Sequence, residues 1–376
     1  MNWLGITIVI ILNILLWYCQ ALLSKIVTTI RRQNGHTQHP MLAQYINVMM
    51  GMMLLSTISL VWIGYTFWNY NQEQNSRLLS TKEFIKKTYD SNQVWRAPDL
   101  QFIAFEKNRD LITYGRQLIA NTSDYLGPKG LVKQMSNGMN CQNCHLDAGT
   151  KPYGNNYSAV WSTYPKFRAR SGTAETIRKR INDCFQRSLN GDTLHPQSKE
   201  MKAIVAYIQW LGQAVPKNKS PKGVGLYKVK NLNRAADPLQ GQFVYAQKCM
   251  SCHGGDGQGL PKPENRIETY PPLWGDHSYN EGAGLFRLSS FAGYVKVNMP
   301  LGANVDNPLL TDEEAWDLAA FVNSKPRPKH NFLKTDWPDP SKKPYDHPFG
   351  PYADTFSELQ HKYGPYTAII ESQSKQ

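Results

Sequence analysis

Two copies of one short pattern constrain this chain more than any other feature: Cys141-Gln-Asn-Cys144-His145 and Cys249-Met-Ser-Cys252-His253. Cysteines three positions apart on a helical turn reach the two vinyl groups of one haem, and the histidine that follows brings an imidazole nitrogen to its iron. A single C-x-x-C-H is also compatible with a redox dithiol or half of a zinc site. Two in one chain, each followed by a helical pattern, point to two covalently bound c-type haems. Cys141, Cys144, Cys249 and Cys252 are then the attachment residues, and His145 and His253 the proximal iron ligands. Six cysteines are too few for a disulfide scaffold, and four of them are used this way.

The motifs head an internal repeat. Asp237-Pro-Leu-Gln-Gly241-Gln-Phe-Val-Tyr245 leads as a helix into the second motif. Asp110-Leu-Ile-Thr-Tyr-Gly115-Arg-Gln-Leu precedes the first, separated from it by an insertion at 121–140. Apolar helices close both units, at 203–208 and 317–322, and the second opens with a capping box, Thr311-Asp-Glu-Glu314. The expected fold is mainly α, with two cytochrome c-like domains in tandem at 109–212 and 237–324. Linkers are expected at 71–108 and 213–236, the latter rich in Pro, Gly, Lys and Asn. Residues 325–376, rich in Pro and aromatics but without periodicity, read as an irregular tail wrapping the haem domains.

Residues 1–70 read as a transmembrane hairpin. No charge occurs from Met1 to Ser24, and a second uncharged run from about Val48 to Trp68 ends in Trp62, Tyr65, Phe67 and Trp68. Each run approaches the ~20 residues that a helix needs to cross a ~30 Å hydrocarbon layer, and the aromatics fit an interface belt. Lys25, Arg31 and Arg32 are the only cations in the first 75 residues. The positive-inside rule puts their loop in the cytoplasm, so both ends of the hairpin face outward. The chain is therefore expected in the inner (cytoplasmic) membrane with its haem domains on the periplasmic side, where c haems are attached. A cleavable signal peptide fits poorly, because no basic residue precedes the run and no A-x-A-like site follows it. His36 and His39 fall in the loop, so this chain alone cannot build a bis-His haem within the membrane. Cys19 reads as an ordinary apolar residue. A polytopic channel or transporter is excluded, since long apolar runs occur only before residue 70.

Candidates for the sixth iron ligands can be argued from loop position and repeat arithmetic. Met299, in Val297-Asn298-Met299-Pro300, lies on the loop before the second closing helix, where its thioether suits an electron-transfer haem. The units are offset by 249 − 141 = 108 at the motifs and 320 − 206 = 114 at the closing helices, which carries Met299 to positions 185–191. No Met lies there; the adjacent sulfur is Cys184, in Arg180-Ile-Asn-Asp-Cys184-Phe-Gln-Arg187-Ser188. Met201, inside the closing helix, and His195, on a loop, compete with it. A thiolate ligand would push electron density onto iron and lower its potential relative to Met.

Charge supports a small-anion partner. The net charge is +13, and between Lys151 and Asn190 eight cations face two acids, Glu175 and Asp183. Haem propionates account for part of this surplus. The remainder, beside an unusual iron ligand, suggests a pocket that attracts an oxyanion, for which the planar arginine fork is the better donor. Covalent haem and export argue against nucleic acid.

With CQNCHLDAGTK at 141–151, RINDCFQRSLNG at 180–191, PPLWG at 271–275, NMPLG at 298–302 and GPYADTF and QHKYGP in the tail, the chain resembles the dihaem thiosulfate dehydrogenases over about residues 100–370. The resemblance implies oxidation of two thiosulfates to tetrathionate, sometimes run in reverse. It implies His145/Cys184 on the active-site haem and His253/Met299 on the electron-transfer haem, with Arg170, Arg180 and Ser188 lining the substrate pocket and Cys184 itself acting in catalysis. Some relatives carry Lys beside the second-haem Met; the neighbour here is Asn298. The N-terminal hairpin departs from the usual soluble form. The redox partner would be a soluble cytochrome or an oxidase- or quinone-linked complex. Two other classes fit the motifs alone: a membrane-anchored dihaem electron-transfer subunit of a respiratory oxidase or quinol-linked complex, and a dihaem peroxidase.

Overall fold

The computed structural model describes residues 3–33, 40–87, 90–260, 270–330 and 335–374. It divides into two compact units, Met1–Lys82 and Glu83–Gln376.

The first unit pairs two long helices, α1 (Trp3–Gln33) and α2 (Pro40–Lys87). Both are long and apolar enough to cross a membrane, over Asn13–Ile30 and Gln44–Ser76. Their apolar side chains face outward, with Val61 72% and Leu55 67% exposed. Polar atoms turn inward: Trp17 Nε1 donates to Ser56 Oγ at 2.8 Å, and Ser56 Oγ donates to Asn13 Oδ1 at 2.6 Å. In hydrocarbon, where apolar burial gives no drive to associate, such bonds between helices help hold a pair together. The helices run further than the apolar runs. Lys25 and Arg32 sit on α1 itself, and α2 continues through 71–87, which the sequence reads as linker. His36 and His39 lie outside the described residues.

Among the described residues, the second unit has helices and one short β-hairpin as its regular elements. In chain order it contains α3 (Arg109–Ala120), β1 (Lys166–Arg168) paired antiparallel with β2 (Thr173–Glu175), α4 (Ile177–Arg187) and α5 (Lys199–Gly212). These are followed by α6 (Pro238–Lys248), α7 (Leu288–Asn298) and α8 (Asp312–Ser324). The repeat is visible as one backbone contact made twice. At Gly115 on α3 an added Cβ would lie 2.0 Å from Ala203 O on α5, and at Gly241 on α6 one would lie 1.9 Å from Asp317 O on α8. Only glycine lets the helices cross this closely. Leu118, Tyr207 and Leu211 fill the core beside the first crossing, and Trp316, Leu318 and Val322 that beside the second. The expected capping box is present: Thr311 Oγ1 accepts from Glu314 N at 3.1 Å and Glu314 Oε2 from Thr311 N at 2.8 Å.

Between the two haem units, 213–236 holds no helix or strand among the described residues. The tail is less irregular than its composition implies. It forms α9 (Glu358–Tyr363) and α10 (Thr367–Ser374), buries Ile369 fully, and sets Tyr366 against Trp316 at 5.4 Å between ring centroids.

Candidate active site

Helix α4 presents two chemically different faces. Thr176 caps it by accepting from Lys179 N at 3.3 Å. Positions 180, 184 and 188, four apart, share one side, so Arg180, Cys184 and Ser188 all line one cavity together with Ile177 and Ile181. Cys141, Cys144 and His145 line the same cavity, whose volume is about 410 Å³. Cofactor and ligand pockets span roughly 300–1,000 Å³. The structure thus sets Cys184 and His145 on one cavity. Met201 is fully buried in α5 and His195 is exposed on its loop; neither lines the cavity.

His145 is prepared as a ligand. Its Nδ1 lies 2.5 Å from Asn155 O, and because a carbonyl only accepts, Nδ1 carries the proton and the Nε2 lone pair is left for iron. Burial pushes the imidazole down to about 4, so it is neutral at pH 7. Tyr157 stacks on the ring at 4.5 Å. In the second unit His253 Nδ1 donates to Pro271 O at 3.0 Å, and burial again lowers its basicity. Met299 directly follows α7 and packs half-buried on the core. The donor sets fit c haems: a paired thiol motif and an oriented neutral imidazole in each unit, with a sulfur side chain in the cavity of the first and one on the distal-loop position of the second.

The cavity of the first unit is cationic. Lys166, Arg168 and Arg180 line it, with no carboxylate among the described lining residues. The Arg180 guanidinium is held above its usual range, chiefly by the sulfur of Cys184 against the opposing effect of burial. Lys166 is pulled down by burial and then by the neighbouring charges of Arg168 and Arg180.

Arg170 stands elsewhere. It does not line the cavity: its Nε donates to Asp336 Oδ2 at 2.8 Å and its Nη2 to Gly282 O at 2.7 Å. Burial, with Arg187 alongside, lowers this guanidinium to about 10. Arg187 Nη2 reaches the other oxygen of Asp336 at 2.7 Å, and Asp183 lies 3.2 Å from Arg187 Nη1. The charged back of α4 and the arginine loop are therefore tied to the tail. Sequence reasoning missed Asp336, because no local pattern marks a partner 166 residues away. Lys166 and Arg168 are legible in the sequence only as part of the local cation surplus, although their spacing of two on a strand is a usable signal.

The two haem units are locked together at the first motif. Tyr294 Oη on α7 donates to Asn143 O, inside the first C-x-x-C-H, at 2.6 Å. Asn298 Nδ2 donates to Tyr153 O at 3.1 Å, and Asn280 Nδ2 to Gln186 O at 2.8 Å.

These features define a tandem dihaem c-type cytochrome with an anion-attracting cavity at its first haem site. A cytochrome c domain of the SoxA/TsdA type matches residues 132–216, and a cytochrome c domain matches 239–325. A thiosulfate dehydrogenase of Allochromatium vinosum is 38% identical over 221 residues, covering 58% of this chain and 78% of that protein. One of Psychrobacter arcticus is 39% identical over 212 residues, covering 56% of this chain and 63% of that protein. The solved thiosulfate dehydrogenase (TsdBA) of Marichromatium purpuratum, in its "as isolated" form, superposes with a TM-score of 0.58 at 30% identity. That match covers 64% of this chain and about half, 51%, of the solved one. The chain belongs to the thiosulfate dehydrogenase family. A pure electron-transfer subunit is not favoured by these relatives.

Proposed function

We propose that this chain joins two thiosulfates into tetrathionate at the cavity of its first haem unit and delivers the electrons through its second. The observation that carries the reading is that Cys184, Arg180, Ser188 and His145 line one cavity without carboxylates among the described residues. When bound, the two c haems supply one-electron acceptance and onward transfer.

The residues of the chain do the rest. His145 and Cys184 would hold the iron of the first haem, and His253 and Met299 that of the second. Arg180 is a fixed positive charge next to the Cys184 sulfur. It attracts a dianion and offsets the repulsion between two of them as their sulfurs approach; preorganised charge of this kind is worth most in a site shielded from water. Ser188, one turn beyond Cys184, offers a hydroxyl to a sulfonate oxygen. Arg170 acts as a positioning residue for the wall of the site through Asp336. Tyr294 and Asn298 hold the distal-ligand helix of the second unit against the first motif, which fixes the separation over which electrons pass.

The hairpin anchors the chain in the inner membrane, with the haem units on the periplasmic side and a cytochrome or a quinone- or oxidase-linked complex receiving the electrons. The exposed apolar surface of α1 and α2 supports this reading, because water is a poor solvent for so large a contiguous apolar face. Purified protein assayed with thiosulfate and ferricyanide, and with tetrathionate and a reduced dye, tests the function. Turnover in at least one direction is expected; none in either would refute it.

A further inference from the structure

The reaction proposed above must hold two dianions at once, but α4 offers one cation and one hydroxyl to the cavity. The β1–β2 hairpin supplies what is missing. Alternate residues of a strand point to one side, so Lys166 and Arg168 face the cavity together while Phe167, between them, is turned to solvent and 67% exposed. Lys166 is exposed, which puts the strand pair at the mouth; Arg168 and Arg180 are both half-buried, and Arg180, one helical turn from Cys184, is the one whose charge the Cys184 sulfur and burial act on. Behind them is Glu175, the cross-strand partner of Lys166 and only 2% exposed. It lies 3.4 Å from Lys179 and 4.0 Å from Arg168. At that range it balances the charge of Arg168 without occupying its hydrogen-bonding fork, which stays available to a ligand.

We infer that Lys166 and Arg168 form a second sulfonate-binding subsite at the cavity mouth, distinct from the Arg180–Ser188 position beside Cys184. This inference rests on the thiosulfate reading. In the forward direction the subsite holds the sulfonate of the second thiosulfate, with its terminal sulfur directed inward at the first. One sulfur–sulfur bond forms between the two terminal sulfurs, no bond breaks, each thiosulfate gives up one electron to the haems, and no proton moves. In reverse, the same pair grips the far sulfonate of tetrathionate, whose two charged ends would lie on the two subsites.

The test uses the full-length holoprotein carrying Lys166→Ala, Arg168→Ala and both together. Arg109→Ala, an exposed arginine remote in sequence, serves as the charge-matched control. Three quantities are read: half-saturating thiosulfate with ferricyanide as acceptor, the affinity of oxidised protein for tetrathionate by calorimetry, and haem content with the potential of the first haem. Loss of one charge-assisted contact is expected to raise half-saturation about tenfold for Arg168→Ala, and more for the double variant, with kcat changed less than about threefold. Tetrathionate affinity should fall in parallel, the haem properties should hold, and the control should match wild type. Unchanged half-saturation and affinity with a shifted potential or lost haem would assign the pair to the haem propionates and overturn the subsite. If wild type neither turns over nor binds either anion, the functional reading falls and the subsite with it. An active wild type and a double variant of unchanged affinity would remove the subsite alone.

Discussion

The two haem units are built on one plan and differ at the place where chemistry would occur. Both cross an N-terminal helix over a C-terminal helix at a glycine, Gly115 in one and Gly241 in the other. Both orient a neutral imidazole with a backbone carbonyl, Asn155 O and Pro271 O. Both then carry an 11-residue helix at the same place in the repeat, α4 in the first and α7 in the second; α7 runs into Met299, whereas α4 is preceded by a cationic hairpin and lines a cavity with Arg180, Cys184 and, at its end, Ser188. The comparison teaches that the shared scaffold is a haem holder. On the function proposed here, the catalytic character comes from the hairpin and the cavity-facing side of α4.

The most severe way to break the contrast is to remove the feature that differs. Cys184→Ala should lower thiosulfate turnover by a factor of about 10³ or more, as expected when a central catalytic group is lost. Both haems should stay attached, since the four attachment cysteines are untouched; a haem stain on a denaturing gel checks this. The corresponding change in the second unit, Met299→Ala, should slow electron delivery without altering thiosulfate affinity, which stopped-flow reduction of each haem would resolve. Next comes Arg180→Ala. Loss of one preorganised charge should lower kcat/KM about 10²–10³-fold, and a steady-state assay showing less than a threefold change would remove Arg180 from the site.

Smaller effects sharpen the contrast in stability rather than in rate. Asp336→Ala strips Arg170 and Arg187 of a buried carboxylate and should destabilise the protein by about 3 kcal/mol or more, read as a lower denaturation midpoint with the second unit's haem spectrum unchanged at low denaturant. Gly115→Ala and Gly241→Ala should behave alike, each costing roughly 1–3 kcal/mol through overpacking of its crossing. A large difference between them would show that the crossings are not equivalent. The mildest change is Thr311→Ala, which removes half of the capping box of α8 and should cost about 1 kcal/mol.

How much of this was legible in the chain depended on the range of the signal. The attachment cysteines, the proximal histidines and the capping box are local patterns, and each occupies the element expected of it. The offset between repeats led only to the neighbourhood of Cys184, since 185–191 excludes it and Met201 and His195 compete; the family resemblance singles it out. Arg170 shows the limit. Its residue type and neighbourhood fit a pocket arginine, but its orientation is decided by Asp336 in the tail and Gly282 in the second unit. Likewise Tyr294 reaches Asn143 across 151 positions. Such contacts form only when the two units dock, and no periodicity within either segment encodes them. The hairpin boundaries moved for a simpler reason. Helix continues while backbone hydrogen bonds and side chains favour it, whether or not the apolar stretch has ended, so α2 runs on to Lys87.

The central claim is that the sulfur of Cys184 occupies the sixth position of the first haem. Low-spin electron paramagnetic resonance of the oxidised wild type and of Cys184→Met tests it most directly. The expected result is two low-spin signals in wild type, one with the narrow g-spread of thiolate coordination, and its disappearance in the variant while the other signal is unchanged. A wild-type spectrum without a thiolate component, or identical spectra from the two proteins, would contradict the claim.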